Sequence, residues 1–583
     1  MITRNRFDIQ KLKGKLGKIR DWMRILHFPP FLLFITLGII STIWFLIRVI
    51  PKPSRATYPC MQVAAPLMSG FVVYLLSLGG ITLALRKVKQ SMISARYIAA
   101  GSFLIVAVAG LIFTLTHGIQ NSSANTLPVS GPDDGPNQPI GNGLGVNPGR
   151  VVWIWNPEAT NENCISNFNT QNWYFKPENT NEKVVGNMIR SSINKLTGKN
   201  KLTESWNVLF HSQNLRKSGK DKGYTKGEKI FIKINQGTAR WVLNQEDKDK
   251  GYTLPSELKP NEERRRISLG ATETGPYIVL ELLRELVNEL GVNQADIAVG
   301  DPMTDTYKHN YDIWFAEFPD VIYTDKFSAK FGRTLIKPTK SDLIFYSDKS
   351  QSDKLYDIME NADYLINTAM LKPHVWGGIS LTAKNHFGSQ ARETASHLHY
   401  ALMAPRGGVA SNGGYHKYRV LVDLMGSKYL GQNTVLYMVD GLFGGGGTET
   451  KPPVKYFMPP FNNDYCNSIF VSQDQVALES VCFDFLRTEW NGINKHDPIN
   501  NTPENGPNMN GVDDYLHQVA DASNWPAGIV YDPDNSGKPL TSLGTHEHWN
   551  NPDMKQYSRN LGFDKGIELV SIPDTLVKRN ILK

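Results

Sequence analysis

The chain has 583 residues, 41% of them hydrophobic, with a formal net charge of +8 and four cysteines. That length admits several domains, or one large domain with an appendage. The cysteines form no C-x-x-C pair, which argues against a structural zinc or iron–sulfur site, and no basic stripe is interleaved with aromatics, which argues against nucleic acid as a partner.

Eight basic residues precede position 25: Arg4, Arg6, Lys11, Lys13, Lys15, Lys18, Arg20 and Arg24. Three runs without charge follow, Pro29–Ile47, Met61–Leu85 and Ile98–Thr116. A helix needs roughly 20 apolar residues to cross a bilayer, so these runs predict three transmembrane helices. Arg86, Lys87, Lys89 and Arg96 follow the second run, against Arg48, Lys52 and Arg55 after the first. Basic flanks stay inside, so the N-terminus is expected in the cytoplasm and everything after residue 117 outside it. The expected location is the bacterial inner (cytoplasmic) membrane with a periplasmic C-terminal domain. The expected organisation is a cytoplasmic basic segment (1–28), a membrane anchor (29–117), a flexible linker (118–149) and an extracytoplasmic domain (150–583). The linker reading rests on the Asn, Ser, Pro and Gly that dominate Gln120–Gly149.

Beyond it, Val151–Trp155 is a β-prone run ending at the turn signal Asn156-Pro157, and Lys229–Ile234 alternates as a strand does. Tyr277–Leu290 has apolar residues at helical spacing, with Thr272 and Thr274 as candidate caps and Gly291 as the stop. Ile297–Val299 leads into Gly300-Asp301-Pro302, a strand ending in a turn. Tyr364–Thr368 and Val435–Val439 are further buried-strand candidates, and Gln475–Arg487 reads as a helix with Asp474 as its N-cap. Strands alternating with helices predict an α/β fold with a mainly parallel or mixed sheet flanked by helices, preceded by the three transmembrane helices. Cys466 and Cys482 are open to two readings, a disulfide or core thiols.

Leu371–Gly388 (LKPHVWGGISLTAKNHFG) resembles the signature of the domain-of-unknown-function family 362. Ile232–Asn235, Gly300-Asp301, Asp440-Gly441 and Ser472–Leu478 resemble further blocks of that family, and Gly544–Gly562 a C-terminal block of its larger members. The resemblance covers most of residues 150–570 and implies fold and domain extent more than mechanism. The chain lacks the ferredoxin-type cysteine clusters of some relatives, so no redox role is carried over.

The densest polar cluster is Lys372, His374, Lys384, Asn385 and His386, beside Gly377-Gly378. Lysines among small residues suit an anion, and a buried lysine suits a base or Schiff-base former. Lys233 and Asn235, Asp301 and Asp440 follow three predicted strands, whose carboxyl ends converge in an open α/β sheet. Lys372, Lys384, Asp301 and Asp440 are therefore the catalytic candidates. Lys233, Asn235, His374 and Asn385 are the ligand-binding candidates. The pairs His397/His399 and His546/His548 would share a face on a strand, but hydrogen bonding is the commoner fate of such histidines, and no metal site is assigned. No cofactor is identified. The expected function is an enzyme or binder acting on a small anionic substrate in an α/β crevice. The alternative is a non-catalytic subunit or scaffold of a cell-envelope membrane complex, with the membrane and other envelope membrane proteins as partners.

Overall fold

The structure, a computed structural model, describes residues 135–577 apart from 167–171, 238–269, 328, 330–331, 375, 404–414, 447–451, 491–508 and 510. It also describes residues 42–44, 47, 86–91 and 94. The chain divides into two compact units, Met1–Val129 and Ser130–Lys583.

No helix among the described residues is long and apolar enough to cross a membrane. This overturns the expectation of three transmembrane helices, and with it the inner-membrane location and periplasmic orientation. The longest helical stretch described in the first unit, residues 86–91, has six residues including three basic ones, against the roughly 20 apolar residues a span requires. The three uncharged runs themselves lie outside the described residues, except for 42–44 and 47.

The second unit contains fifteen described strands: β1 (Ile140–Gly141), β2 (Arg150–Trp155), β3 (Ile230–Lys233), β4 (Ile297–Gly300), β5 (Ile322–Asp325), β6 (Thr334–Leu335), β7 (Ile344–Phe345), β8 (Ser352–Asp353), β9 (Tyr364–Met370), β10 (Pro373–His374), β11 (Gly378–Ile379), β12 (Thr434–Gly441), β13 (Ser468–Ser472), β14 (Thr545–His546) and β15 (Glu568–Ile572). Nine of them form one sheet in the order β15-β2-β13-β12-β9-β3-β4-β5-β6. Strands β12, β9, β3, β4, β5 and β6 are successive parallel neighbours, whereas β13 runs antiparallel to both β12 and β2. The sheet is therefore mixed, with one reversed strand.

Side chains alternate between the two faces of a strand, so the sheet divides the apolar residues into two cores. Val152, Ile154, Ile230 and Ile232 face one core, together with α1 (Glu182–Thr197), α2 (Leu202–Ser218) and α3 (Pro276–Arg284). Val151, Trp153, Phe231 and Leu365 face the other, with α5 (Thr382–Asn385), α6 (Val420–Gly426), α7 (Gln475–Glu489) and α8 (Val512–Ala520). Helix α4 (Lys308–Glu317) buries Trp314 in the first core. Helices on both faces explain why β9 and β12 are buried at every position and read as near-continuous apolar runs.

Residues 135–149 are the end of the expected linker, and they lie against the C-terminal block. Strand β1 pairs antiparallel with β14, and the Leu144 N–H donates to Asp474 Oδ2 at 2.8 Å. Asp474 also caps α7, accepting from the Ala477 N–H at 2.9 Å. Helix α3 starts at Pro276 with Gly275 as its N-cap, not at Thr272 or Thr274, and continues as a π-helical turn over Glu285–Glu289.

Candidate functional site

Of three parallel neighbours, β3 and β4 end side by side while β9 runs on from Asn367 to Met370, and the residues that follow β3 and β4 lie on one edge of the sheet. Lys233, the last residue of β3, is flanked in register by Asn367 of β9 and Gly300 of β4. Its side chain is fully buried, and its ammonium donates to Ile234 O at 2.6 Å and to Asn385 Oδ1 at 3.0 Å. Asp301 Oδ1 lies 3.0 Å from the same nitrogen. Burial pulls this lysine below its ordinary pKa, and the Asp301 charge opposes that pull. Asp301 also accepts from the backbone N–H groups of Gln236 and Met303. Gly388, which closes the signature segment, packs so tightly here that a Cβ would come within 2.4 Å of Asp301 Oδ1.

The network continues along the edge. Asn235 Nδ2 donates to Asn385 Oδ1 at 3.3 Å, and Asn235 Oδ1 accepts from Lys372 Nζ at 3.1 Å. Lys372 Nζ also donates to Thr272 O at 2.7 Å and is buried. Asn385 is fixed from the other side, since its Nδ2 donates to Asn367 Oδ1 at 2.8 Å. Asn367 Nδ2 in turn meets His386 Nε2 at 3.0 Å, and burial lowers that imidazole to about 3, with Lys233 adding to the effect. His386 is thus neutral and accepts at Nε2.

The signature segment folds over this edge as the β10–β11 hairpin followed by α5. Gly378 takes a φ of 72°, a conformation side chains rarely adopt, at the turn. His374 Nδ1 accepts from the Trp376 and Gly377 N–H groups, both at 3.1 Å, so the ring acts as a clip that shapes the hairpin. Burial, reinforced by Lys384, holds it neutral, well below the ordinary histidine pKa. Lys384 is half-buried, with its ammonium 3.9 Å from the Phe387 ring centroid. It lies close to Gly377, where an added Cβ would sit 3.7 Å from Lys384 Cε.

Asp440 stands apart. Its Oδ2 accepts from the Gly275 N–H at 3.1 Å and its Oδ1 from the Leu442 N–H at 3.0 Å. Burial raises its carboxyl to about 6 despite those bonds. The space beside it, lined by Tyr174, Thr272, Gly275, Met370 and Phe443, measures about 10 Å³. That is room for about one water molecule.

The structure therefore gathers Lys233, Asn235, Asp301, Lys372 and Asn385 into one hydrogen-bonded cluster, with His374 and Lys384 in the segment that covers it. Asp440 is instead bonded to the Gly275 and Leu442 N–H groups, and the 272–275 segment bonds Lys372 through Thr272 and Asp440 through Gly275. Sequence reasoning passed over Asn367, although an amide inside the otherwise apolar run of β9 is a signal that a buried partner exists. It also took Thr272 and Thr274 as caps, whereas Thr274 Oγ1 accepts from the Asn235 N–H at 2.9 Å. His397 and His399 lie in a 3-10 turn, not a strand. One bonds Asp353 at 2.6 Å and the other meets Ala395 O at 2.9 Å, so they diverge.

A mixed α/β domain with a polar cluster at the carboxyl edge of its parallel strands is the class that fold and site define. Residues 258–484 match the family model described as Domain of unknown function (DUF362), so the resemblance drawn from the signature segment is shown over that stretch. The match includes Asp301, Lys372–Asn385 and Asp440, and leaves Ile232–Asn235 and Gly544–Gly562 outside it. No curated protein and no solved structure matches the chain.

Proposed function

We propose that the chain binds, and acts on, a small anionic substrate at the carboxyl edge of strands β3, β4 and β9. The observation that carries this reading is the placement of Lys384. It is a half-buried lysine beside Gly377, next in sequence to Asn385, which joins Lys233, Asn235 and Lys372 in a fixed hydrogen-bonded layer. Lys233 and Asp301 supply the framework of that layer, since each satisfies the other. Lys384 supplies the charge that meets the substrate, and His374 keeps the glycine hairpin shaped around it. Asp440, raised to about 6, belongs to the neighbouring one-water space and is suited to accept a proton near neutral pH.

The test is calorimetric titration of the full chain with inorganic phosphate and with a small dicarboxylate, alongside thermal unfolding. Lys384→Ala should unfold at nearly the wild-type temperature and lose about 2–5 kcal/mol of binding to whichever probe the wild type takes. Lys417→Ala, at an exposed site away from the strand ends, should leave binding unchanged. Equal binding by wild type and Lys384→Ala would reject the reading in favour of a non-catalytic scaffold.

A further inference from the structure

We infer that Asp513, His546 and His548 form a binding site for one first-row divalent transition-metal ion, a role independent of the anion crevice. One ligand atom from each residue lies within 4.8 Å of the other two. His548 Nε2 is 3.2 Å and His546 Nε2 3.9 Å from the same oxygen, Asp513 Oδ1. Zinc bonds to nitrogen and oxygen of ~2.0–2.1 Å set tetrahedral ligands about 3.3 Å apart, so small side-chain adjustments close the set around a cation. The 3.9 Å separation is too long for a hydrogen bond.

The surroundings orient both imidazoles for this. The His546 ring meets Ser480 Oγ through Nδ1 at 2.8 Å, and the Ser480 hydroxyl donates its own proton to Val476 O at 2.7 Å. Ser480 must therefore accept, which puts the His546 proton on Nδ1 and a lone pair on Nε2. His548 Nδ1 meets Asp484 Oδ1 at 2.8 Å. Arg487 Nε lies 2.7 Å from the same oxygen, and Asp484 Oδ2 accepts from the Trp549 N–H at 2.9 Å and from the Tyr557 hydroxyl at 2.8 Å, so both carboxylate oxygens act as acceptors. Asp484 Oδ1 therefore accepts from the His548 Nδ1–H, which leaves Nε2 as a lone pair as well. Two imidazole lone pairs thus point at a carboxylate oxygen, an arrangement that a cation stabilises. A carboxylate behind a ligating histidine is the usual second layer of such a site.

The backbone explains how the ligands meet. His546 and His548 are two apart on an extended segment and share one side, while Glu547 turns to the other, where it accepts from Ser558 and Ile567. Residues 137–141 clamp this segment from outside: Ile140 pairs with His546, and the Asn137 N–H donates to His548 O at 3.1 Å. Asp513 comes from the first turn of α8, and Ser480 and Asp484 from one face of α7. Both His rings are buried, and the Asp513 side chain is 18% exposed, which leaves a way in for the ion. Imidazole and carboxylate donors suit zinc, iron or nickel rather than magnesium or calcium.

The experiment uses the untagged full chain, stripped with chelator and titrated calorimetrically with Zn²⁺. One equivalent should bind, and X-ray absorption at the zinc edge should show imidazole scattering without a sulfur shell. Asp513→Asn and His548→Gln should weaken binding at least a hundredfold, and Asp484→Asn about ten- to hundredfold. His399→Ala should bind as the wild type does. Circular dichroism accompanies each variant, and the absorption spectrum of the wild type decides the matter should a variant fail to fold. No bound equivalent, a sulfur shell, or full affinity in folded Asp513→Asn would overturn the assignment. In the first case a proton shared among the three groups takes the place of the ion.

Discussion

Lys233 Nζ lies 3.0 Å from Asp301 Oδ1, with the two side chains 0% and 4% exposed. The pair joins the ends of β3 and β4 with both charges buried. Removing one partner leaves the other buried and uncompensated, so Lys233→Met should destabilise the domain by about 3–5 kcal/mol. Adding Asp301→Asn should cost less than the sum of the single changes. Urea unfolding of the cycle checks this, and strictly additive losses would mean that the two charges do not depend on each other.

Asp440 offers a pH-dependent signature. Its carboxyl titrates at about 6 in the folded chain against an ordinary value of 3.8. A raised carboxyl contributes stability that is fully present below its unfolded pKa and is lost as pH rises through the folded one. Wild type should therefore lose stability relative to Asp440→Asn between about pH 4 and pH 6, by on the order of 3 kcal/mol, with a flat difference above. Denaturant midpoints of both proteins across that range give the difference curve. A gap that widens in favour of wild type on raising the pH would contradict the environment described.

The fold was legible where one physical signal dominated. Val151–Trp155, Tyr364–Thr368 and Val435–Val439 were readable as strands because burial on both faces makes them mostly apolar, and they correspond to β2, β9 and β12. The helix over Gln475–Arg487 was marked by Asp474, which does cap it. The apolar runs before residue 117 show the limit of composition: uncharged length alone led to membrane spans, and no described helix supports them. Helix α2 went unread because half of its buried positions are polar, Ser205, Gln213 and Asn214, whereas α1, with a mostly apolar buried face, carried a periodicity that was passed over.

The site was legible by residue type and not by pairing. Lysines and acids at strand ends could be listed, but which acid meets which lysine depends on register. Register sets Lys233 beside Gly300 and hence Asp301, while Asp440 lies beyond the 272–275 segment. For the same reason Lys372 and Lys384 looked equivalent in the sequence. Only Lys384 is half-exposed; truncating Lys372 would strip Thr272 O and Asn235 Oδ1 of a donor.

The two open readings of Cys466 and Cys482 resolve to core thiols. Cys164, Cys466 and Cys482 are all free and buried. Burial pushes Cys164 up to about 12 and the other two well above the ordinary thiol range. The thiolate is the reactive form, so at pH 8 an aromatic disulfide reagent should leave these three untouched in the native chain and label them in urea. Mass spectrometry of digests locates the label. Native labelling of Cys466 or Cys482, or a bridge between them, would refute the assignment.

Glu479 ties the signature segment to α8. Its Oε1 accepts from Thr382 Oγ1 at 2.6 Å and from the Ala383 N–H at 2.9 Å, holding the start of α5, while its Oε2 accepts from Tyr515 OH at 2.5 Å. Burial raises its carboxyl, and the donors around it oppose the rise. Glu479→Gln replaces one of the two acceptors with a donor, so either α5 or Tyr515 loses its partner, at a cost of about 1–3 kcal/mol. Tyr515→Phe removes one donor and should cost about 1 kcal/mol. In the double variant the amide can turn its NH₂ toward the vacated position and keep its oxygen on Thr382 and Ala383. The combined loss should therefore fall short of the sum by about 0.5–3 kcal/mol. Urea midpoints of the four proteins measure that coupling, and simple additivity would show that Glu479 holds α5 and α8 separately.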